Sequence, residues 1–271
     1  MIRLLISLHS ILIILPHLQT FNLLHKPHNV PCSQLIIFGD DLTDDGIEFS
    51  THSHGFARNS NGPYINYAYS GAQSGYNNKF FSDWSGILWQ IEYHCMNHRI
   101  IPKDSLIILQ VGGLSELILH QQNDITDKRI SIDKINDNIA NAVLGLINTV
   151  DNGIIIIMNL IDPYETPGYA MLIANGNDNL KLSSMISHIN SKLWRLMTIK
   201  GYDTRQIRLF DLNGAIIDAV RGLNTNESFT YQQNNMTSLK AFDYAYYNQW
   251  YPSTFIHYKI AQKLVKFLED L

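Results

Sequence analysis

From residue 35 onward the chain alternates short apolar runs with longer stretches of helical spacing, which leaves few folds open. Residues 35–38, 64–69, 106–111, 154–158 and 207–212 read as five buried strands. Between and after them, four segments repeat apolar residues at intervals of three and four. Residues 83–95 put Trp84, Leu88 and Ile91 on one face, and 131–150 align Ile132, Ile135, Ile139, Val143, Leu146 and Val150. Residues 178–200 turn Met185, Ile189, Leu193 and Leu196 inward, and a last helix over 252–270 has Pro252 in its first turn. Strands joined by connections of this length run mostly parallel, with helices covering both faces. The expected fold is α/β, a three-layer α/β/α sandwich around a five-stranded sheet.

Bulk composition agrees with one such domain over residues 31–271. A chain of 271 residues, 45% hydrophobic and 11% aromatic, can bury a substantial core. The formal charge is −4 and no lysine or arginine block occurs, so no nucleic-acid partner is expected. Residues 1–30 read differently. Arg3 precedes about a dozen mostly apolar residues that end at Pro16, the charge order of a secretory signal peptide. The run is shorter than the roughly 20 residues a membrane helix needs, so no stable membrane span is expected after processing. The expectation is therefore a secreted or periplasmic protein. Cys32 and Cys95 are the only cysteines; such a location allows a bridge between them without requiring one.

In parallel α/β sheets ligands sit at the carboxyl ends of the strands. Asp41, Gly71 and Leu114 all follow predicted strand ends, so a common pocket there is expected. The first of these ends is the most distinctive: Ile36-Ile37-Phe38 runs into Gly39-Asp40-Asp41-Leu42-Thr43-Asp44-Asp45-Gly46.

That segment resembles the Phe-Gly-Asp-Ser-Leu-Ser-Asp-x-Gly block of GDSL esterases, with Asp41 at the place of the serine. Four further blocks follow in order. Arg58-Asn59-Ser60-Asn61-Gly62-Pro63 is similar to the family's Arg-x-Ser-Asn-Gly-Pro, and Asn66-Tyr67-Ala68-Tyr69-Ser70-Gly71-Ala72 to its Asn-Tyr-Ala-x-Gly-Gly-Ala. Val111-Gly112-Gly113 stands where Gly-Gly-Asn-Asp is expected, and Tyr251-Pro252-Ser253-Thr254 where the closing His-Pro-Thr-Thr is expected. Over about residues 34–268 the chain thus resembles the GDSL lipases and esterases of the SGNH hydrolase superfamily. The resemblance implies a flavodoxin-like sandwich, a secreted or periplasmic location, no cofactor and no metal.

The resemblance also implies what is missing. Ester cleavage on this plan needs a serine nucleophile, a histidine base and an aspartate that orients it. It also needs an oxyanion hole made by the nucleophile's N–H, a glycine N–H and an asparagine amide. Here Asp41 takes the nucleophile position, Asn248 that of the acid and Tyr251 that of the base. Of the oxyanion positions Asp41, Gly71 and Leu114, Gly71 is retained while Leu114 lacks the amide. Attack by Asp41 on an ester would give an anhydride, and its charge would oppose the oxyanion. A phenol such as Tyr251, with an ordinary pKa of about 10, is a poor base at neutral pH. Loss of one oxyanion donor alone costs about 10²–10³ in rate. The expectation is a catalytically inactive lipase/esterase homologue that keeps a pocket for an acyl, lipid or glycan ligand or a partner. Its pocket candidates are Asp40, Tyr69, Ser70, Gly113 and Tyr247.

Other readings are weaker. Asp40, Asp41, Asp44 and Asp45 could face a hard cation, but carboxylates this close in sequence cannot all converge; Asp40 and Asp44 then serve the turn and Asp45 caps the next helix, while Asp41 bonds to Asn248 or Tyr251. Gly39-Asp40-Asp41-Leu42-Thr43-Asp44 also matches a magnesium motif of haloacid-dehalogenase phosphatases, but that class needs an upstream Asp-x-Asp strand end and no aspartate precedes Asp40. An active or residual ester hydrolase using non-standard residues is the alternative to the inactive homologue. Tyr64, Tyr69, Tyr76, Trp84, Tyr246, Tyr247, Trp250 and Tyr251 supply aromatic surface suited to sugars or acyl groups, and residues 222–250 read as a long polar loop beside them.

Overall fold

The computed structural model describes residues 34–44, 64–97, 101, 104–122, 128–149, 153–175, 182–199, 206–229 and 243–271. The leader-like segment, Cys32, Asp45 and the Arg58–Pro63 block lie outside the described residues. The chain divides into two compact units, one of residues 1–160 with 188–210 and one of residues 161–187 with 211–271.

The first unit holds a five-stranded, all-parallel sheet of order β2-β1-β3-β4-β5. Its strands are β1 (Gln34–Phe38), β2 (Tyr64–Asn66), β3 (Ser105–Gln110), β4 (Ile154–Met158) and β5 (Ile207–Phe210). Successive residues of β1, β3 and β4 are all buried, from Leu35 to Phe38, Leu106 to Leu109 and Ile155 to Met158. Both faces of these strands are therefore out of water, which explains their unbroken isoleucine and leucine runs. Helices α1 (Ile87–Asn97), α2 (Leu114–Gln122) and α3 (Lys128–Ile147) belong to this unit, with α1 packed on α3 and on β1. Helix α5 (Leu182–Ile199) runs across the sequence boundary between the units.

The second unit contains a 3-10 turn (Pro163–Glu165), α4 (Pro167–Ala174), α6 (Leu212–Val220), α7 (Thr254–Glu269) and a parallel strand pair, β6 (Asn224–Ser228) and β7 (Tyr244–Tyr246). Helix α6 packs on α7. Among the described residues, no helix is long and apolar enough to cross a membrane.

Several elements differ from expectation for local reasons. The first helix begins at Ile87, not at residue 83, because Asp83 (φ 54°) and Ser85 (φ 57°) are left-handed and cannot enter a right-handed helix. Trp84 therefore precedes the helix, whose buried residues are Ile87, Gln90, Ile91 and His94. The second strand stops at Asn66, although Tyr67 and Tyr69 still donate their N–H groups to the carbonyls of Ile37 and Gly39, in and just after β1. The fifth stops at Phe210 because Asp211 caps α6, its carboxylate accepting the Gly214 N–H. Pro252 lies before α7 and bridges Tyr246, and Ser253 holds the N-cap position. The 222–250 region is not one loop, since β6 and β7 occupy both ends of it. Helices α2, α4 and α6 were not anticipated.

Candidate functional site

Strand order reverses between β1 and β3, and a parallel sheet opens its crevice where such a reversal occurs. The carboxyl ends of these two strands deliver Gly39-Asp40-Asp41 and Val111-Gly112-Gly113 to that place.

Two buried glutamines fix the first of these ends. Gln90 of α1 accepts the Gly39 N–H through Oε1 at 3.0 Å, and its Nε2 donates to the Gly39 and Ser85 carbonyls, each at 2.9 Å. Gln110, the last residue of β3, accepts the Asp40 N–H at 2.9 Å and donates to the Val111 carbonyl. Asp40 closes the turn itself, with Oδ1 accepting from the Leu42 N–H at 3.2 Å and its carbonyl accepting from Thr43 and Asp44.

The turn then grips the loop after β2. Asp44 Oδ2 accepts the Ser70 N–H at 2.8 Å, and Asp41 Oδ1 accepts the Gly71 N–H at 2.9 Å together with the Ser70 hydroxyl. Gly71 presents its N–H from a left-handed φ of +79°, and a Cβ there would lie 2.9 Å from Asn78 Oδ1. Asp40, Asp41 and Asp44 thus face separate partners: the turn's own backbone, the Ser70–Gly71 pair and the Ser70 amide. Tyr69 is half-buried and packs edge-on against Trp84 and Trp89. Gly113 takes φ +136°, and Leu114 is the first residue of α2, half-buried.

Burial, reinforced by the Asp41 charge, pushes the Asp40 carboxyl from 3.8 up to about 7. Between those values the folded protein holds a proton that the unfolded chain releases. This contribution to stability is therefore complete below about pH 4 and is lost as pH rises through 7. Asp40→Asn keeps an acceptor for the Leu42 N–H and removes the buried charge. Urea unfolding at pH 5 and pH 8 is expected to show the variant gaining on wild type by roughly 2–4 kcal/mol between the two values. An equal change in both proteins would contradict a protonated Asp40.

The other family positions lie in the second unit. Asn248 Oδ1 accepts the N–H groups of Trp250 and Tyr251 at 2.9 and 2.8 Å, so this side chain organises its own turn. The Tyr247 N–H donates to the Tyr251 carbonyl at 2.8 Å; both tyrosine side chains are exposed. Gly168 gives its N–H to the Gln249 carbonyl, and a Cβ on it would lie 2.4 Å from the Trp250 ring. Burial pulls the His257 imidazole from 6.5 down to about 4, which keeps it neutral. Asp41 Oδ1 has the Ser70 hydroxyl and the Gly71 N–H as partners.

Sequence reasoning missed Gln90 and Gln110. The signal for Gln90 was its place among Ile87, Ile91 and His94 on the apolar stripe of α1; a polar residue there needs buried partners. Cys95, also on α1, carries a free thiol.

The sequence matches no protein-family model and no curated protein sequence. Solved structures with similar folds include the lipase Lip_vut3 from a goat rumen metagenome, 14% identical, covering 85% of this chain and 95% of that one with a TM-score of 0.43. A carbohydrate esterase whose active site is described as having divergent catalytic and non-catalytic binding functions is 13% identical; the match covers 89% of this chain and 69% of that one, TM-score 0.46. A catalytic mutant of Axe2, an acetylxylan esterase from Geobacillus stearothermophilus, is 11% identical; the match covers 87% of this chain and 94% of that one, TM-score 0.43.

Proposed function

We propose that this chain is a GDSL-type SGNH hydrolase homologue whose ester-cleaving machinery is silent and whose remaining role is to bind a ligand or partner outside the cytoplasm. The carrying observation is the bond from the Gly71 N–H to Asp41 Oδ1. On the family plan that N–H stabilises the oxyanion of the tetrahedral intermediate. Here it is already taken by a carboxylate that the chain itself supplies. A substrate would have to displace this carboxylate and then build negative charge beside it, which reverses the electrostatics the reaction requires. Leu114 offers no amide to compensate, and the Asn248 side-chain oxygen is engaged by its own turn.

One observation favours an active alternative. The Ser70 hydroxyl donates to Asp41, an arrangement in which a carboxylate could draw a proton from a serine nucleophile. Carboxylates are weaker bases than imidazole, and the same oxygen also holds the Gly71 N–H, so this pair is poorly equipped for turnover.

Hydrolysis of short- and long-chain p-nitrophenyl esters separates the two readings. Wild type is expected at background, beside a variant carrying Asp41→Ser, Leu114→Asn, Asn248→Asp and Tyr251→His at the positions aligned with the family's catalytic residues. Wild-type turnover abolished by Ser70→Ala would establish the active alternative and overturn the silent one.

A further inference from the structure

A cleft of about 620 Å³ opens in the first unit, lined by the 73–83 loop, α1, α3 and the start of α2. None of Asp41, Ser70, Gly71 and Leu114 lines it. Its size falls within the ~300–1,000 Å³ that accommodates small organic ligands.

Four carboxamides face the cleft, from Gln73, Asn77, Asn138 and Asn141, together with the carboxylates of Asp83, Glu92 and Glu116. Lys134 is the one cationic side chain in the lining. Glu116 sits at the inner end, only 4% exposed. Its Oε2 accepts from the Ser74 hydroxyl at 2.7 Å and the Ser74 N–H at 3.3 Å, while Asn138 braces the same hydroxyl at 2.9 Å. Both bonds from Ser74 go to Oε2, which leaves Oε1 of Glu116, a residue of the cleft lining, available to a ligand. Tyr76, also in the lining, is 45% exposed.

We infer that this cleft binds a neutral, hydroxyl-rich ligand of short-saccharide size, anchored by a hydroxyl donated to Glu116 Oε1. Three carboxylates against one lysine repel phosphates and other anions. The carboxamides both donate and accept, matching vicinal hydroxyls that do the same. Tyr76 adds an aromatic face for the apolar side of a sugar ring. The inference concerns a cleft separate from the Asp41 turn and goes beyond the silent-hydrolase reading.

The test is saturation-transfer NMR and titration calorimetry on the full chain with cellobiose, xylobiose, maltose and diacetylchitobiose, and with spermidine as a competing amine. At least one disaccharide is expected to bind. Glu116→Gln keeps the fold's acceptor for Ser74 and is expected to weaken that binding about tenfold or more; Asn141→Ala, on an exposed position, is expected to weaken it about threefold to tenfold. Should Glu116→Gln unfold, Asn141→Ala and Glu92→Ala carry the result. Binding of none of the four sugars, unchanged affinity in the variants, or preference for spermidine would overturn the assignment. Ester turnover measured on the same samples bears only on the Asp41 site, so the two readings fail separately.

Discussion

Alanine at position 86 is expected to destabilise the first unit by about 3 kcal/mol or more, a large fraction of the stability of a typical domain. The added Cβ would lie 2.2 Å from the Gly75 carbonyl oxygen, 2.5 Å from that of Asn77 and 2.6 Å from the Tyr76 carbonyl carbon. All three are backbone atoms, so no side chain can rotate away. The surrounding backbone is tied as well. Gly86 donates to the Tyr76 carbonyl, Ile87 to Gln73 and Leu88 to Gly75. Relief of the clash would therefore break the bonds that start α1 and shape the loop lining the polar cleft. Thermal or urea unfolding measures the loss directly. A variant within 1 kcal/mol of wild type would show that this loop is far more compliant than its bonding indicates.

Gln90→Leu is the second large effect, expected to cost about 3 kcal/mol. The substitution nearly conserves volume, so the change is in hydrogen bonding. It strands the Gly39 N–H and the Ser85 carbonyl in the interior, each worth roughly 1–3 kcal/mol when left without a partner. The Gly39 carbonyl is less affected, because it also accepts from Tyr69. Gln90→Glu separates the two halves of the role, since it can accept from Gly39 but cannot donate to Ser85. Urea unfolding should rank the proteins wild type, then Gln90→Glu, then Gln90→Leu if the carboxylate's burial costs less than the stranded Gly39 amide. Hydrogen exchange at Gly39 should accelerate in Gln90→Leu. Unchanged exchange there would remove Gln90 from its assigned place beneath the turn.

The sheet was legible because its signal is local and redundant. Ile154–Met158 is a strand at the expected boundaries, since four successive isoleucines fit only a strand buried on both faces. Parallel pairing followed from the lengths of the connections. The strands β6 and β7 were not legible, because Asn-Thr-Asn-Glu-Ser carries almost no β preference and gains its shape from pairing. Two left-handed residues, Asp83 and Ser85, displaced the start of α1, and nothing in their side chains announces that conformation.

The site divides the same way. Asp41, Ser70 and Gly71 stood out through motif positions, but the bond among them joins segments about 30 residues apart, and no spacing rule predicts it. Asp44 was assigned to its own turn and proves to hold the Ser70 amide. Glu116 gave no motif signal; its importance comes from burial beside Ser74 and the polar cleft.

The interleaving of the two units along the chain dictates an order of assembly during synthesis. Residues 161–187 leave the ribosome ahead of β5, yet their unit is completed only by residues 211–271. The Asp162 amide waits for the Asn213 side chain, and the Gly168 amide waits for the Gln249 carbonyl. A nascent chain halted just after β5 would thus carry its five sheet strands complete while the apolar segment of α4 lacks its partners. Such a species offers chaperones and proteases their target in the middle of the chain, although the missing residues are at its end.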